Sequence, residues 1–570
     1  MHDLVIKGAT IVDGTGAEEF IGDIAIDGEH ITSVGPKAGR AHRTIDANGD
    51  LVTPGWVDVH THYDGQATWD PLLMPSSVHG VTTLLFGNCG VGFAPARPEH
   101  RDSLIELMEG VEDIPGAALH EGLDWDWESF PEFLDALERR ERVLDVAAQM
   151  PHHALRVYVM GERAVRHEAA TAADIEAMAT LTEQALRAGA FGFTTSRTDQ
   201  HKTVSGELVP GRYSRADELV GIGRAMGRAG HGNFGLISDF EDEAAEFELL
   251  TKVGQDSGRP VWFLLTDRAA DPQRWRRLVA GVKKARTQGA QMSAQVAGRP
   301  IGLILGLNTS LNPFSIRSAY KALEQLPAAQ RLARLKDPEV KRAILNDPVS
   351  DALLEVLPPL SRQIATRWDR MYLLNDPPNY EPEYQNSVAA IAEQKGVAPE
   401  EIAYDHVTAG DGEGTFFFPV TGYVTGDLEP IREMLHDPVT VLGLSDGGAH
   451  CGVICDASLP TFMLTHWVRD RTRGERLPRA WAVEQLTSRT ADFFGFKDRG
   501  RLQAGKRADL NIIDFAGLTL HAPRINYDLP AGGKRLLQAV EGYKATFVAG
   551  QQTFSNGEPT GARPGKLVRA

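Results

Sequence analysis

Cysteine is scarce in this sequence: the 570 residues contain three cysteines, Cys89, Cys451 and Cys455. A small, odd number in a long chain excludes a disulfide framework and is typical of a reducing compartment. Long apolar runs are also lacking, and the start MHDLVIKGATIVDGTG has neither the charged head nor the apolar centre of a signal peptide. We therefore expect a cytoplasmic protein without a membrane partner.

Positive charge is in deficit as well. Lys and Arg total 59 against 77 Asp and Glu, so the formal net charge is −18. Proteins that bind nucleic acids or anionic membranes present the opposite, basic balance, and we expect neither partner. The composition, 42% hydrophobic and 24% charged, is ordinary for a globular protein. This charge and composition are compatible with a small-molecule ligand, and the possibility of a homo-oligomer remains.

Short strand-like segments stand at both ends of the chain. Residues 1–54 and 500–570 contain β-branched residues with partial alternation and Gly or Asp-Gly turns, as in GDIAIDGEHITSVG and EGYKATFVAGQQTF. Because chain ends often meet in space, these segments predict one small β-sandwich domain assembled from both termini.

The middle of the chain alternates strand patterns with helix patterns. From GWVDVH to VLGLSD we count eight candidate strands with intervening helices, which predicts an α/β fold, a (β/α)8 TIM barrel over residues 55–499. Residues 299–437 are too long for one crossover and are rich in charge and proline, so we interpret them as an insertion near the barrel mouth and a candidate lid. Two helix N-termini are predicted from cap pairs, Thr171 with Asp174 and Ser214 with Asp217.

In such a barrel the chemistry lies at the carboxyl ends of the strands. The candidate strands end in His60 and His62 (strand one), Cys89 (two), Ser196 and Arg197 (four), Ser238 and Asp239 (five), Leu265 and Thr266 (six) and Asp446 (eight). His60 and His62 occupy alternate positions of a strand and so point to the same face. Zinc accepts imidazole, thiolate and carboxylate together and keeps one position for water in catalytic sites. The pattern predicts a metal site at this end of the barrel.

Four segments resemble the amidohydrolase superfamily. LVTPGWVDVHTHYDGQ is similar to its strand-one signature, GLSDGG to the segment that carries the strand-eight acid, and GRLQAGKRADLNIID to the segment where the chain re-enters the small β domain. GVTTLLFGNCGVGFAP narrows the resemblance to the N-acyl-D-amino-acid deacylase (D-aminoacylase) branch, where a cysteine replaces the carboxylated lysine of many relatives. The resemblance implies that His60, His62 and Cys89 are zinc ligands and that Asp446 contacts metal or water. An acid placed there would move a proton from the water to the departing amine.

The sequence departs from that branch at strands five and six, which there each end in a metal-binding histidine. Here no histidine occurs between His231 and His406. Three interpretations stay open: one zinc or other divalent ion held by the four implied ligands, replacement oxygens from Asp239 or Asp267, or loss of catalysis. We favour the first, because four ligands suffice for zinc.

The segment TTSRTDQHKTVSGELVPGRYS contributes the remaining candidates. His201 is interpreted as an extra ligand, as a neutral imidazole that polarises the scissile carbonyl, or as a solvated loop residue. Arg197 and Arg212 are candidate partners of a substrate carboxylate, since guanidinium binds carboxylates through two hydrogen bonds, and Tyr213 is a further substrate contact. His450, close behind Asp446, is a candidate for orienting a ligand or for carrying a proton.

These features predict a metal-dependent hydrolase that cleaves a C–N amide bond, with an N-acyl amino acid of the D series or a similar amide as substrate. Two alternatives remain. One is a cyclic amide, imide or lactam hydrolase, or a deaminase, because one barrel supports many chemistries. The other is a binding protein that has lost the reaction together with the second metal position.

Overall fold

The computed structural model describes residues 1–570, apart from the side chain of Asp351. Eight parallel strands, which we count from first to eighth in chain order, alternate with helices. They are Trp56–Asp58, Val81–Phe86, Asp145–Ala148, Gly192–Arg197, Asn233–Ser238, Val261–Leu264, Met292–Val296 and Thr440–Leu442. The predicted α/β class is confirmed.

The parallel strands pair in chain order. The first pairs with the second and the second with the third. Met150–Pro151, directly after the third strand, pairs with the fourth, and the series continues to the eighth. Beyond the eighth strand, the Asp446 amide donates to the His60 carbonyl at 3.1 Å, and Thr61 forms a parallel bridge with Gly447. The segments that follow the first and eighth strands therefore lie side by side.

Helices cover this set of strands. Outside residues 299–437 the α-helices are Arg101–Glu112, Gly116–Gly122, Phe130–Glu138, His152–Met160, Glu162–Val165, Ala172–Arg187, Ala216–Ala229, Glu243–Ser257, Arg274–Thr287, Leu459–Phe462, Arg479–Leu486 and Ser488–Phe494, with a π-helix at Met463–Asp470. The predicted Thr171 cap is confirmed: its hydroxyl accepts from the Asp174 amide at 3.2 Å, and the Asp174 carboxylate accepts from the Thr171 amide at 2.8 Å. The predicted Ser214 cap is wrong, because Arg215 is the N-cap residue and Ser214 Oγ donates instead to the Gly211 carbonyl.

Both chain ends contribute to one nine-stranded mixed sheet. Leu51–Pro54 from the N-terminal part pairs antiparallel with Leu510–Ile513 from the C-terminal part, so this pair joins the two ends. The other strands of the sheet are His2–Ile11, Phe20–Asp27, His30–Gly35, Ala41–Asp46, Tyr543–Val548, Gln551–Ser555 and Glu558–Pro559.

Two C-terminal segments leave that sheet. The hairpin Thr519–Leu529 and Gly533–Glu541 forms its own two-stranded sheet, and Arg535 in it reaches Asp70 and the Met74 carbonyl. The last residues return to the parallel strands, where Leu567 bridges Val146. Part of the C-terminal region thus packs on the central strands.

Many buried apolar residues of the 299–437 segment form a second apolar cluster, which also includes Val453, whereas others, such as Ile304 and Phe417, belong to the main core. The antiparallel sheet of this segment contains Ile301–Gly306, Tyr372–Leu373 and Thr415–Thr421. The helices are Ser318–Glu324, Ala328–Leu335, Pro338–Leu345, Asp351–Val356, Pro359–Thr366, Val388–Lys395 and Pro399–Thr408, besides Glu429–His436. Across the described residues, no helix combines the length and the apolar character that crossing a bilayer requires.

Candidate metal centre

Three of the four predicted metal ligands form a tight buried cluster. His60 and His62 follow the first parallel strand, and Cys89 follows the second. One ligand atom from each of these residues lies within 4.8 Å of the others, and all three residues are buried. Cys89 Sγ is 3.5 Å from His60 Nε2. Two such ligands of one tetrahedral zinc ion are separated by roughly 3.3–3.6 Å, from the usual Zn–S and Zn–N lengths.

Asp446, in the segment after the eighth strand, lies beside the two histidines of this cluster. Its Oδ1 lies 3.7 Å from His60 Nε2 and 3.7 Å from His62 Nε2, and its side chain is 9% exposed. A single carboxylate oxygen therefore faces both imidazoles. The donor set of two nitrogens, one sulfur and one oxygen is one that zinc accepts, so the residues present fit the predicted ion.

Two of these residues adopt left-handed backbone conformations. Cys89 has φ 54° and Asp446 has φ 50°, a region that residues other than glycine seldom occupy and that clusters at functional sites. Gly87 and Gly90 flank Cys89 with φ 80° and 74°, and a Cβ at Gly87 would collide with the Gln149 carbonyl oxygen. The segment FGNCG thus forms a tight turn that directs the Cys89 thiol toward His60.

The imidazole nitrogens that point away from the cluster have polar neighbours. His60 Nδ1 is 2.6 Å from Gln295 Oε1, which extends from the seventh parallel strand. His62 Nδ1 is 3.2 Å from Glu112 Oε1. A partner at Nδ1 leaves the Nε2 lone pair of each ring for the metal side. Sequence reasoning did not identify Gln295 or Glu112; a buried polar residue within an apolar strand was the available signal for Gln295.

Burial controls the protonation of the cluster. Desolvation lowers the pKa of His60 to about 4 and that of His62 to about 3, so both imidazoles are neutral at pH 7 and can donate a lone pair. Desolvation, followed by the charges of Glu112 and Asp446, raises the pKa of the Cys89 thiol well above its usual value. Desolvation also raises the pKa of Asp64 to about 8. A cation in the cluster would oppose the last two effects.

His201 is placed on the same side of the molecule as the cluster. Its Nδ1 is 2.9 Å from Ser196 Oγ, at the end of the fourth strand. Desolvation, together with the nearby His450 and His62, lowers its pKa to about 3. His201 is therefore a neutral imidazole, in the protonation state that polarising a carbonyl requires.

The acids after the fifth and sixth strands have other partners. Asp239 accepts from Thr198 Oγ1 at 2.9 Å and pairs with Arg268 at 2.9 Å. Asp267 accepts from the Gly422 and Val424 amides. Asp239 therefore stabilises surrounding loops, and Asp267 fastens residues 299–437 to the strands.

The predicted carboxylate-binding residues differ in their surroundings. Arg197 pairs with Glu246, a carboxylate that is only 9% exposed, and Arg197 Nη1 donates to the Ser214 carbonyl. Arg212 pairs with Asp199, which is 54% exposed, and lies over the ring of Tyr213 at 5.1 Å. Tyr213 itself is 56% exposed. Arg212 thus has a partner that can move into solvent, whereas Arg197 is fixed.

His450 borders the cluster, with Nε2 3.9 Å from Asp446 Oδ2 and a side chain that is 24% exposed. Cys451 and Cys455 make different contacts: their thiols face the carbonyls of Gly448 at 3.6 Å and Leu536 at 3.8 Å. Both are buried free cysteines.

A cluster of two imidazoles, a thiol and a nearby carboxylate on an α/β scaffold fits a metal-dependent hydrolase, and the comparisons with known proteins identify the family. The amidohydrolase family profile matches residues 43–554. The chain belongs to the amidohydrolase family, and the resemblance inferred from its motifs is confirmed.

Individual relatives share the whole length of the chain. It is 26% identical over 577 residues to the N-acyl-D-glutamate deacylase of Alcaligenes xylosoxydans xylosoxydans, covering 100% of this chain and 96% of that one. It is 25% identical over 571 residues to the N-acyl-D-aspartate deacylase of the same organism, covering 99% and 95%. A crystal structure of D-aminoacylase superimposes with a TM-score of 0.65 at 22% identity, covering 100% of both chains. As a member of this family, the chain is an amidohydrolase that acts on carbon–nitrogen bonds.

Proposed function

We propose that this amidohydrolase removes the acyl group from an N-acyl amino acid of the D series, using one zinc ion held by His60, His62, Cys89 and Asp446. The main support is a pair of geometric observations. Asp446 Oδ1 lies 3.7 Å from the buried imidazoles of His60 and His62, and Cys89 Sγ lies 3.5 Å from His60 Nε2. The substrate class is supported by the N-acyl-D-glutamate and N-acyl-D-aspartate deacylases among the full-length relatives.

The proposed scaffold is a (β/α)8 barrel over residues 55–499. It is supported by the parallel pairing in chain order and by the Thr61–Gly447 bridge between the segments after the first and eighth strands. The small β domain would comprise residues 1–54 and 500–570. Residues 299–437 would be the insertion that covers the mouth, a role supported by the hydrogen bond from the Ile304 amide to the Val453 carbonyl, near His450.

Asp446 is proposed as the group that moves the proton. When bound, a zinc ion would supply Lewis-acid polarisation of the amide carbonyl and would lower the pKa of the attacking water. Asp446 would accept the proton of that water and deliver it to the departing amine. The neutral imidazole of His201 would hold the carbonyl oxygen, since Ser196 fixes its Nδ1 side. Because the pKa of His201 lies near 3, this interaction would persist at neutral pH.

The substrate carboxylate is assigned to Arg212. The guanidinium is largely buried, and its partners Asp199 and Glu241 are 54% and 69% exposed. A substrate carboxylate could displace those exposed partners with two hydrogen bonds. Arg197 is less suitable, because separating it from Glu246 would leave a buried carboxylate unpaired. Tyr213 would flank the same group through its contact with Arg212.

A substrate panel tests the proposal. Zinc-loaded protein is assayed with N-acetyl-D-glutamate, N-acetyl-D-aspartate and N-acetyl derivatives of neutral D-amino acids, and their L-enantiomers serve as matched controls. Hydantoins and lactams complete the panel. We expect release of acetate from D-compounds. Turnover of cyclic compounds alone would instead establish a cyclic amidase, and no turnover by metal-replete protein would favour a binding protein.

A further inference from the structure

We propose that Glu112 is a positioning residue of the metal centre: its carboxylate orients His62 as a ligand and holds His450 beside Asp446. The inference rests on the proposed function, because it assigns the zinc ion to the cluster of His60, His62, Cys89 and Asp446. Glu112 is not among the residues predicted from the sequence, because it lies neither at the end of a barrel strand nor within a family motif. It is the last residue of the helix Arg101–Glu112.

Glu112 is a fully enclosed acid that faces histidines. The residue is 1% exposed. Its Oε1 lies 3.2 Å from His62 Nδ1, and its Oε2 lies 3.5 Å from His450 Nε2. Among the described residues, neither Glu112 Oε2 nor His62 Nδ1 has a partner in hydrogen-bond geometry, so the contact between Glu112 and His62 is a close approach of a carboxylate to an imidazole. Burying a carboxylate costs several kcal/mol unless its neighbours compensate, so packing alone does not account for an acid at this position.

The contact with His62 gives that carboxylate a defined effect. A carboxylate next to Nδ1 keeps the proton there and directs the Nε2 lone pair to the opposite side, where Asp446 lies. His60 is oriented in the same way by the neutral amide of Gln295.

The end of the Glu112 helix is fixed on two sides. Asp113 has φ 50°, which ends the helix sharply. Its carboxylate accepts from Ser310 Oγ and from the Gly452 amide, each at 3.0 Å, and the His450 amide donates to the Glu112 carbonyl. Residues from the 299–437 segment and from the segment after Asp446 thus hold Glu112 in place. Its carboxylate is positioned before any ligand binds.

Zinc affinity and a cobalt spectrum test this role. The variants are Glu112→Ala, which removes the carboxylate, and Glu112→Gln, which keeps the shape and an acceptor oxygen but not the charge. Glu106→Gln, an exposed position on the same helix, is the matched control. Zinc dissociation constants are measured by competition with a chromophoric chelator. The visible spectrum of the Co²⁺-substituted protein reports ligand geometry, independently of turnover.

We expect Glu112→Ala to weaken zinc binding 10–100-fold, the usual effect of removing a group that orients a metal ligand, and to shift the Co²⁺ bands. Glu112→Gln should recover part of the affinity, and Glu106→Gln should match the unaltered protein. An Ala variant within twofold of the unaltered dissociation constant, with an identical Co²⁺ spectrum, would overturn the inference. If the Ala variant does not fold, the same two measurements on Glu112→Gln decide: unchanged values overturn the role. Failure of the unaltered protein to bind zinc would instead refute the proposed metal centre.

Discussion

Replacing Cys89 with alanine should remove about one quarter of the zinc-binding free energy. Complete four-ligand zinc sites bind with about 10–16 kcal/mol at neutral pH, so one ligand contributes about 3 kcal/mol. At about 1.4 kcal/mol per tenfold, the Cys89→Ala protein should bind zinc at least ~100-fold more weakly. The buried thiol lies 3.5 Å from His60 Nε2, so the substitution would remove one of the proposed zinc ligands. The fold should persist, since only one small side-chain atom is removed.

The assay is a chelator competition at several pH values, with Cys455→Ala as control. Cys455 is also a buried cysteine, but its thiol faces the Leu536 carbonyl. Burial and the acids Glu112 and Asp446 raise the pKa of Cys89, so zinc must displace the thiol proton. Affinity should therefore rise with pH, and the slope in the alanine variant should be smaller by about one proton per ion.

Two results would refute this reasoning. A Cys89→Ala protein with zinc affinity within twofold of the unaltered protein would show that the thiolate is not a ligand. Equal losses in Cys89→Ala and Cys455→Ala would show that any buried cysteine substitution disturbs the centre through the fold.

Asp446→Asn should lower kcat by 10²–10⁴, the usual contribution of a proton-transferring residue, with an unchanged circular dichroism spectrum; near-normal turnover would contradict its role. His201→Ala should lower kcat while the zinc content measured by atomic absorption stays constant, and a parallel loss of zinc would make His201 a ligand instead. Burial raises the pKa of Asp64 from the ordinary value of 3.8 to about 8, so between those pH values the folded state holds a proton that the unfolded state has released. The unfolding free energy of the metal-free protein should fall by up to about 1.4 kcal/mol per pH unit as pH rises through that window. Asp64→Asn should flatten this dependence in urea titrations, and an unchanged slope would contradict the assignment.

The order of elements was accessible from the sequence because buried strands and amphipathic helices have distinct hydrophobic periods. The Thr171 cap is an example of local chemistry that can be identified from four residues. The hairpin Thr519–Leu529 and Gly533–Glu541 was not anticipated. Its position depends on tertiary contacts such as those of Arg535 with Asp70. The prediction of a Ser214 cap was wrong for a related reason, since the Ser214 hydroxyl donates to the Gly211 carbonyl instead of capping the helix.

The site residues also differ in whether a local sequence pattern or only a long-range contact reveals them. His60, His62, Cys89 and Asp446 follow strands, so the strand pattern alone selects them as neighbours. Glu112 reaches the cluster from a helix end, which no strand pattern indicates. Arg197 pairs with Glu246, which is 49 positions away in the sequence. The sequence alone therefore suggested Arg197 as a partner of a substrate carboxylate but did not reveal that a protein carboxylate already binds it.

The contacts of Asp239 and Asp267 bear on whether these acids are free to bind a metal ion. Of the two acids that could replace the histidines of strands five and six, Asp239 pairs with Arg268, and Asp267 accepts two backbone amides from the 299–437 segment. Using either as a ligand would cost those interactions and leave buried or charged partners unsatisfied. Of the proposed ligands, His60, His62 and Cys89 have ligand atoms within 4.8 Å of one another, and Asp446 Oδ1 lies 3.7 Å from both imidazoles. A metal ion bound through Asp239 or Asp267 would therefore have to displace contacts that these acids already make.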